Sequence, residues 1–154
     1  MERFRYDDGE EAEREIVAHP GSVAIVAFDG ERVFLVRQPR EPVNDPALLE
    51  LPAGKLDEDG EEPLDTAKRE LAEEIGKGAG TWRLLTSFYT SPGFADEECH
   101  LYLATDLHDE PAEAADQERI EVVEVPLADL EQVIQECRDA KSLVGLLWLK
   151  SHLA

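Results

Sequence analysis

The apolar positions along this chain follow two rhythms. Val23-Ala24-Ile25-Val26-Ala27-Phe28 is an unbroken apolar run, the pattern of a short strand buried on both faces. Asp29-Gly30 then supplies a pair that tolerates the positive φ of a hairpin turn, and residues 32–38 read as the partner strand. Residues 39–46 read as a proline-rich loop leading to a short extended piece, Leu48-Leu49-Glu50-Leu51. From Pro63 the period changes: Leu64, Ala67, Leu71 and Ile75 recur on one helical face. Pro63 suits the first helical turn, and Gly76 suits the residue just past the last. Residues 76–80, Gly-Lys-Gly-Ala-Gly, read as a turn; they lack the Gly-Lys-Ser/Thr ending of a phosphate loop and follow a helix instead of opening one.

Strand-like segments follow over residues 81–90, 99–105 and 120–126, and two helices over 127–138 and 142–153. Residues 1–18 are polar and charge-rich, an N-terminal arm or strand before a single domain over 19–154. Strands, a helix, more strands and closing helices make an α+β domain with helices packed on a sheet.

Composition narrows the partners. The 154 residues carry 36 acidic against 15 basic side chains, a net charge of −21, which sets the chain against nucleic-acid backbones and anionic membranes. A small anion can still bind if a divalent cation stands between the two negative charges. An acidic surface suited to a salty cytosol explains the net charge equally well. No apolar run approaches the roughly 20 residues of a membrane span. The N-terminus has no signal-like apolar segment, and Cys99 and Cys137 fit no zinc or redox spacing, so two reduced thiols in a cytoplasmic protein are expected. His19, His100, His108 and His152 show no ligand spacing either, and Trp82 and Trp148 read as core or interface aromatics.

The helix from Pro63 holds Arg69-Glu70-Leu71-Ala72-Glu73-Glu74. At about 100° per residue, Glu70, Glu73 and Glu74 share one flank beside the apolar face, with Arg69 one turn from Glu73. In so acidic a chain that alone describes a solvated face. The neighbouring residues change the reading: Gly54, Glu61, Arg69, Glu70, Leu71, Glu73, Glu74 and Gly76 together resemble the box that marks the Nudix hydrolases. Two positions depart from that pattern. Six residues instead of five separate Gly54 from Glu61, and Lys77 stands where an aliphatic residue is usual.

The resemblance implies a Nudix α/β/α sandwich with a mixed β-sheet and a Mg²⁺-dependent pyrophosphohydrolase, with Mn²⁺ as the alternative ion. On that likeness Glu70, Glu74 and the backbone carbonyl of Ala53 are metal ligands, and Glu73 either binds metal or orients the water. Arg69 holds the glutamates, with Glu61 as its structural partner. Four segments resemble the ADP-ribose pyrophosphatase branch: residues 19–24, 37–40, 50–54 and 91–97. Pro92, sixteen residues past Gly76, matches a proline that marks that branch. The likeness places Pro92, Gly93 and Glu97 around the substrate, Glu97 either in the metal shell or on a substrate hydroxyl. Arg37 and Arg40 are the natural phosphate clamps in a chain with few cations. The likeness also implies a general base in the stretch 113–120, with Glu118 first and Asp116 second. The expected reaction is hydrolysis of ADP-ribose to AMP and ribose 5-phosphate. The expected assembly is a homodimer, although the arm is short for one that completes a partner's site. The rivals are another nucleotide sugar, a dinucleoside polyphosphate or an oxidised nucleotide as substrate, and a non-catalytic nucleotide sensor on the same fold.

Overall fold

The computed structural model describes residues 1–112 and 119–153. Strand β3 (Ser22–Phe28) lies at the centre, and residues 23–27 are wholly buried. Because side chains alternate along a strand, it feeds two cores. Ala24 and Val26 pack with Leu51, Leu101, Leu146 and Leu149 on one face. Val23, Ile25 and Ala27 pack with Ala67, Leu71 and Ile75 on the other. Helices therefore cover both faces: α1 (Pro63–Ile75) on the second, α2 (Leu130–Glu136) and α3 (Ala140–Leu153) on the first. This is an α/β/α sandwich.

The sheet is mixed. β3 runs parallel to β8 (Glu98–Asp109), and β8 pairs antiparallel with β7 (Lys77–Tyr89). On the other side β3 meets β4 (Arg32–Arg40) only at Ala27 and Phe28, after which the two strands part. β5 (Asp45–Glu50) continues along β4, β6 (Ala53–Lys55) along β3, and β9 (Glu121–Pro126) pairs with the far edge of β4. The chain crosses from β5 to β6 through Leu51-Pro52, pinned from both cores. The Leu51 N–H donates to Ser142 Oγ of α3 at 2.7 Å. The Ile25 N–H donates to the Pro52 carbonyl at 2.9 Å. This crossing carries the candidate site, since α1 packs against it.

Pro63 starts α1 and Gly76 ends it at φ 67°, its N–H returning to the carbonyls of Ala72 and Leu71, as the punctuation predicts. Three expectations are corrected. Residues 39–46 are not a loop: β4 runs to Arg40, a 3₁₀ turn spans Glu41–Val43, and β5 begins at Asp45. The β4–β5 register shifts between Gln38 and Arg40, where Pro39 has no N–H to give, and Pro46 lies on an outer strand of the sheet, where proline is tolerated. Of residues 76–80 only Gly76 turns; Lys77 already pairs with Asp109. A Cβ at Gly78 would meet only the ends of the exposed His108 and Glu110 side chains, which can swing aside, so the strand pairing and not crowding defines this position. The helix expected over 127–138 is a 3₁₀ turn, Leu127–Asp129, followed by α2, which stops at Glu136. The first residues form a hairpin, β1 (Glu2–Arg5) with β2 (Glu11–Arg14), as a separate two-stranded sheet.

Candidate active site

The α1 glutamates stand on the flank of the helix next to β6, and Arg69 ties them together. Its Nε and Nη2 donate to Glu61 at 3.0–3.3 Å, while Nη1 donates to Glu70 Oε1 at 3.1 Å and to Glu73 Oε2 at 3.2 Å. One guanidinium thus orients three carboxylates, a task its planar fork suits and a lysine could not perform. The pairing holds the Glu61 carboxyl below the usual glutamate range, Thr66 Oγ1 adding a second hydrogen bond. In return Glu61, then Glu70 and Glu73, push the Arg69 guanidinium up, so it is cationic at any working pH. Glu74 is held differently, its Oε2 accepting the Ala53 N–H at 3.1 Å. Glu70 lies flat on Gly54: a Cβ there would sit 2.2 Å from the Glu70 carboxyl carbon. The glycine makes the cradle for that carboxylate.

Glu70 and Glu74 line a cavity of about 590 Å³ beside Gly54. Glu97, Ser22, Thr90, Arg40 and Lys141 line it as well. Burial opposes the charge of Glu97, yet hydrogen bonds from Ser22 Oγ at 2.6 Å and Thr90 Oγ1 at 2.8 Å outweigh it and hold the carboxyl below its ordinary range. The acidic donors that line the cavity, Glu70, Glu74, Glu97 and Asp57, offer oxygen, which fits Mg²⁺ or Mn²⁺ in kind. The Gly54 cradle fits too. Among the described residues, however, no three acidic, histidine or cysteine side chains stand gathered as a finished metal cluster, and Arg69 holds an oxygen of both Glu70 and Glu73.

The remaining sequence candidates separate. Arg40 lines the cavity; Arg37 does not, and its Nη1 donates to the Ala47 carbonyl at 3.3 Å. Pro92 and Gly93 lie in a second groove of about 450 Å³, formed with Phe4, Tyr6 and Tyr89. Glu73 faces Arg69 and is not on the cavity wall. Glu118 and Asp116 fall outside the described residues.

Sequence reasoning missed a buried charged group behind Arg40. Glu50 closes β5 with its side chain 1% exposed, accepting both Arg40 and Lys141. Asp139 caps α3, taking the Ser142 N–H at 3.0 Å, and also accepts Lys141 at 3.0 Å. Burial pulls the Lys141 amine down, but Asp139 and Glu50 outweigh it and hold the group above its usual range. A glutamate between Leu49 and Leu51, and a lysine in a chain with few of them, were the available signals.

Comparison with known proteins gives the family and the fold. The NUDIX domain model matches residues 18–144. An ADP-ribose pyrophosphatase of Bacillus subtilis (strain 168) is 43% identical over 97% of this chain and 83% of its own length. A methanol dehydrogenase activator of Bacillus methanolicus is 41% identical over 93% of this chain and 79% of its own. The crystal structure of an ADP compounds hydrolase superposes with a TM-score of 0.82 over 98% of this chain and 83% of that one; at 23% identity this likeness is one of fold. With a family model over most of its length, and the box's glutamates Glu70 and Glu74 on one helix beside a cavity, the chain belongs to the Nudix hydrolases.

Proposed function

We propose that the protein hydrolyses ADP-ribose to AMP and ribose 5-phosphate, by attack of water at a phosphorus, in the presence of Mg²⁺ or Mn²⁺. The observation that carries this reading is the cavity itself. Carboxylates suited to a hard cation and a guanidinium line the same cavity, and the chain is 43% identical to an ADP-ribose pyrophosphatase. Glu70, Glu74 and the Ala53 carbonyl would hold the metal. When bound, the ion supplies neutralisation of the diphosphate charge and makes water a stronger nucleophile. Arg69 keeps Glu70 and Glu73 in place; Glu73, turned to Arg69 and off the cavity wall, is the weaker candidate for sharing the ion or orienting the water. Arg40 grips the diphosphate; Arg37, turned to the Ala47 carbonyl, is the weaker candidate. Glu97, ionised and hydrogen-bonded, accepts from a substrate hydroxyl or joins the metal shell. Glu118, or failing it Asp116, takes the proton from the water. The N-terminal hairpin and the groove at Pro92 and Gly93 are the surfaces from which a homodimer would be built, and the cytoplasm is the expected compartment.

Turnover of ADP-ribose should be compared with GDP-mannose, a dinucleoside polyphosphate and an oxidised nucleotide, each with Mg²⁺. GDP-mannose belongs in the panel because a GDP-mannose pyrophosphatase of Cronobacter sakazakii is 35% identical over 89% of this chain. ADP-ribose should be the best substrate, and Glu70→Gln should lower its turnover by at least ~10²-fold. A much faster competitor, or an active Glu70→Gln protein, would overturn the assignment.

A further inference from the structure

Nothing above gives the buried charges behind Arg40 a task. Glu50 takes Arg40 on both oxygens, Nε to Oε1 at 2.6 Å and Nη2 to Oε2 at 3.0 Å. Lys141 adds its Nζ 2.5 Å from Oε2. One cation is enough to keep a buried carboxylate paired; this one has two. With Arg40 alone, Glu50 would cancel the guanidinium's charge, and a cavity already lined by Glu70, Glu74, Glu97 and Asp57 would repel an anion. Asp139 shares Lys141 with Glu50, so two cations and two carboxylates balance behind the cavity; without Lys141 the group would be net negative beside the guanidinium. Arg40 spends Nε and Nη2 on Glu50, and among the described residues its Nη1 donates no hydrogen bond, which leaves those N–H groups for a second oxyanion.

We infer that Lys141 is a positioning residue: by offsetting the Glu50 and Asp139 carboxylates it limits how far they cancel the Arg40 guanidinium that meets the diphosphate of the incoming substrate. This inference rests on the nucleoside-diphosphate reading of the cavity, and a helix remote in sequence from the glutamate helix thereby sets substrate affinity.

The test is a cycle of Lys141→Met, Glu50→Gln and Arg40→Gln. KM and kcat are measured with ADP-ribose and Mg²⁺, and Kd for ADP-ribose by calorimetry with Ca²⁺ in place of Mg²⁺. Lys141→Met should raise KM and Kd by ~10- to 100-fold, the scale of one charge-assisted contact, with kcat within about threefold of the parent. Adding Glu50→Gln should recover most of that loss, since the guanidinium is then no longer cancelled. In the Arg40→Gln background, Lys141→Met should change affinity by less than about twofold. The inference is overturned if Lys141→Met leaves affinity unchanged, if Glu50→Gln recovers nothing, or if the effect persists without Arg40. Should Lys141→Met prove too unstable to assay, the Glu50→Gln/Lys141→Met pair, which removes both buried charges, still decides by its Kd: near-parental affinity supports the inference, and a full loss ends it. Binding without turnover in the parent would refute the proposed activity while leaving the affinity cycle decisive. Absence of binding in the parent would end both.

Discussion

Gly54 shows how one residue serves the site without contributing an atom to it. Its missing side chain is the space in which the Glu70 carboxylate lies, and an added methyl would come within 2.2 Å of that group. What must yield is the end of a flexible side chain, not backbone, so Gly54→Ala should fold nearly as well as the parent. The displaced carboxylate is the proposed metal ligand, and a misplacement of about 1 Å at a reacting centre costs on the order of 10²-fold. Gly54→Ala should therefore cut kcat/KM by ~10- to 100-fold while its melting temperature moves by less than about 3 °C. Parental activity in that variant would show that the contact with Glu70 is incidental. Arg69 and Glu61 work on the same scale, since neither lines the cavity, yet between them they set where two of the carboxylates stand.

Between elements, the critical contact is α3 against the β5–β6 crossing. Gly145 lets the helix close on Leu51, Val26 and Leu101, all fully buried; a Cβ would stand 2.5 Å from Leu51 and 2.9 Å from Val26. Alanine favours a helix over glycine by up to about 1 kcal/mol, but overpacking a filled core costs about 1–3 kcal/mol, and here no flexible polar end can swing away. Gly145→Ala should thus lower stability by ~1–2 kcal/mol in urea denaturation, and an unchanged midpoint would contradict the packing described. The elements legible in the sequence were those with local signals. The central strand announced itself by its apolar run, α1 by Pro63, Gly76 and its apolar face, and the glutamate cluster because all its members share one short stretch. Residues 39–46 were not legible because prolines look like loop until one knows that β5 lies on the outside of the sheet. Residues 76–80 misled because closely spaced glycines look like a turn, whereas their strand pairing is set by β8, a partner distant in sequence. Glu50 and Lys141 lie 91 residues apart, so their pairing exists only after β5 and α3 have docked.

For the molecule as a whole the dominant quantity is charge: 36 acidic side chains against 15 basic, net −21. Salt acts on such a surface in two opposite ways. It weakens exposed ion pairs, such as Arg3 with Glu13 or Arg5 with Glu11, and it weakens repulsion among the surplus carboxylates. Exposed pairs are each worth roughly 0–1 kcal/mol and are limited by the supply of cations, whereas every acidic residue in excess contributes to the repulsion. Relief of repulsion should win. Raising NaCl from about 0.05 M to about 1 M shortens the screening length from roughly 14 Å to roughly 3 Å, and should raise the melting temperature by about 5 °C or more. The scan belongs in chelator-treated protein, so that the gain cannot come from a divalent ion seated at Glu70 and Glu74. Under those conditions the Gly54→Ala protein should gain as much as the parent, because the repulsion relieved is spread over the surface and not confined to the cavity. A melting temperature that falls as salt is added would mean that the few ion pairs outweigh the many unpaired carboxylates, and that the acidic excess is arranged to avoid itself.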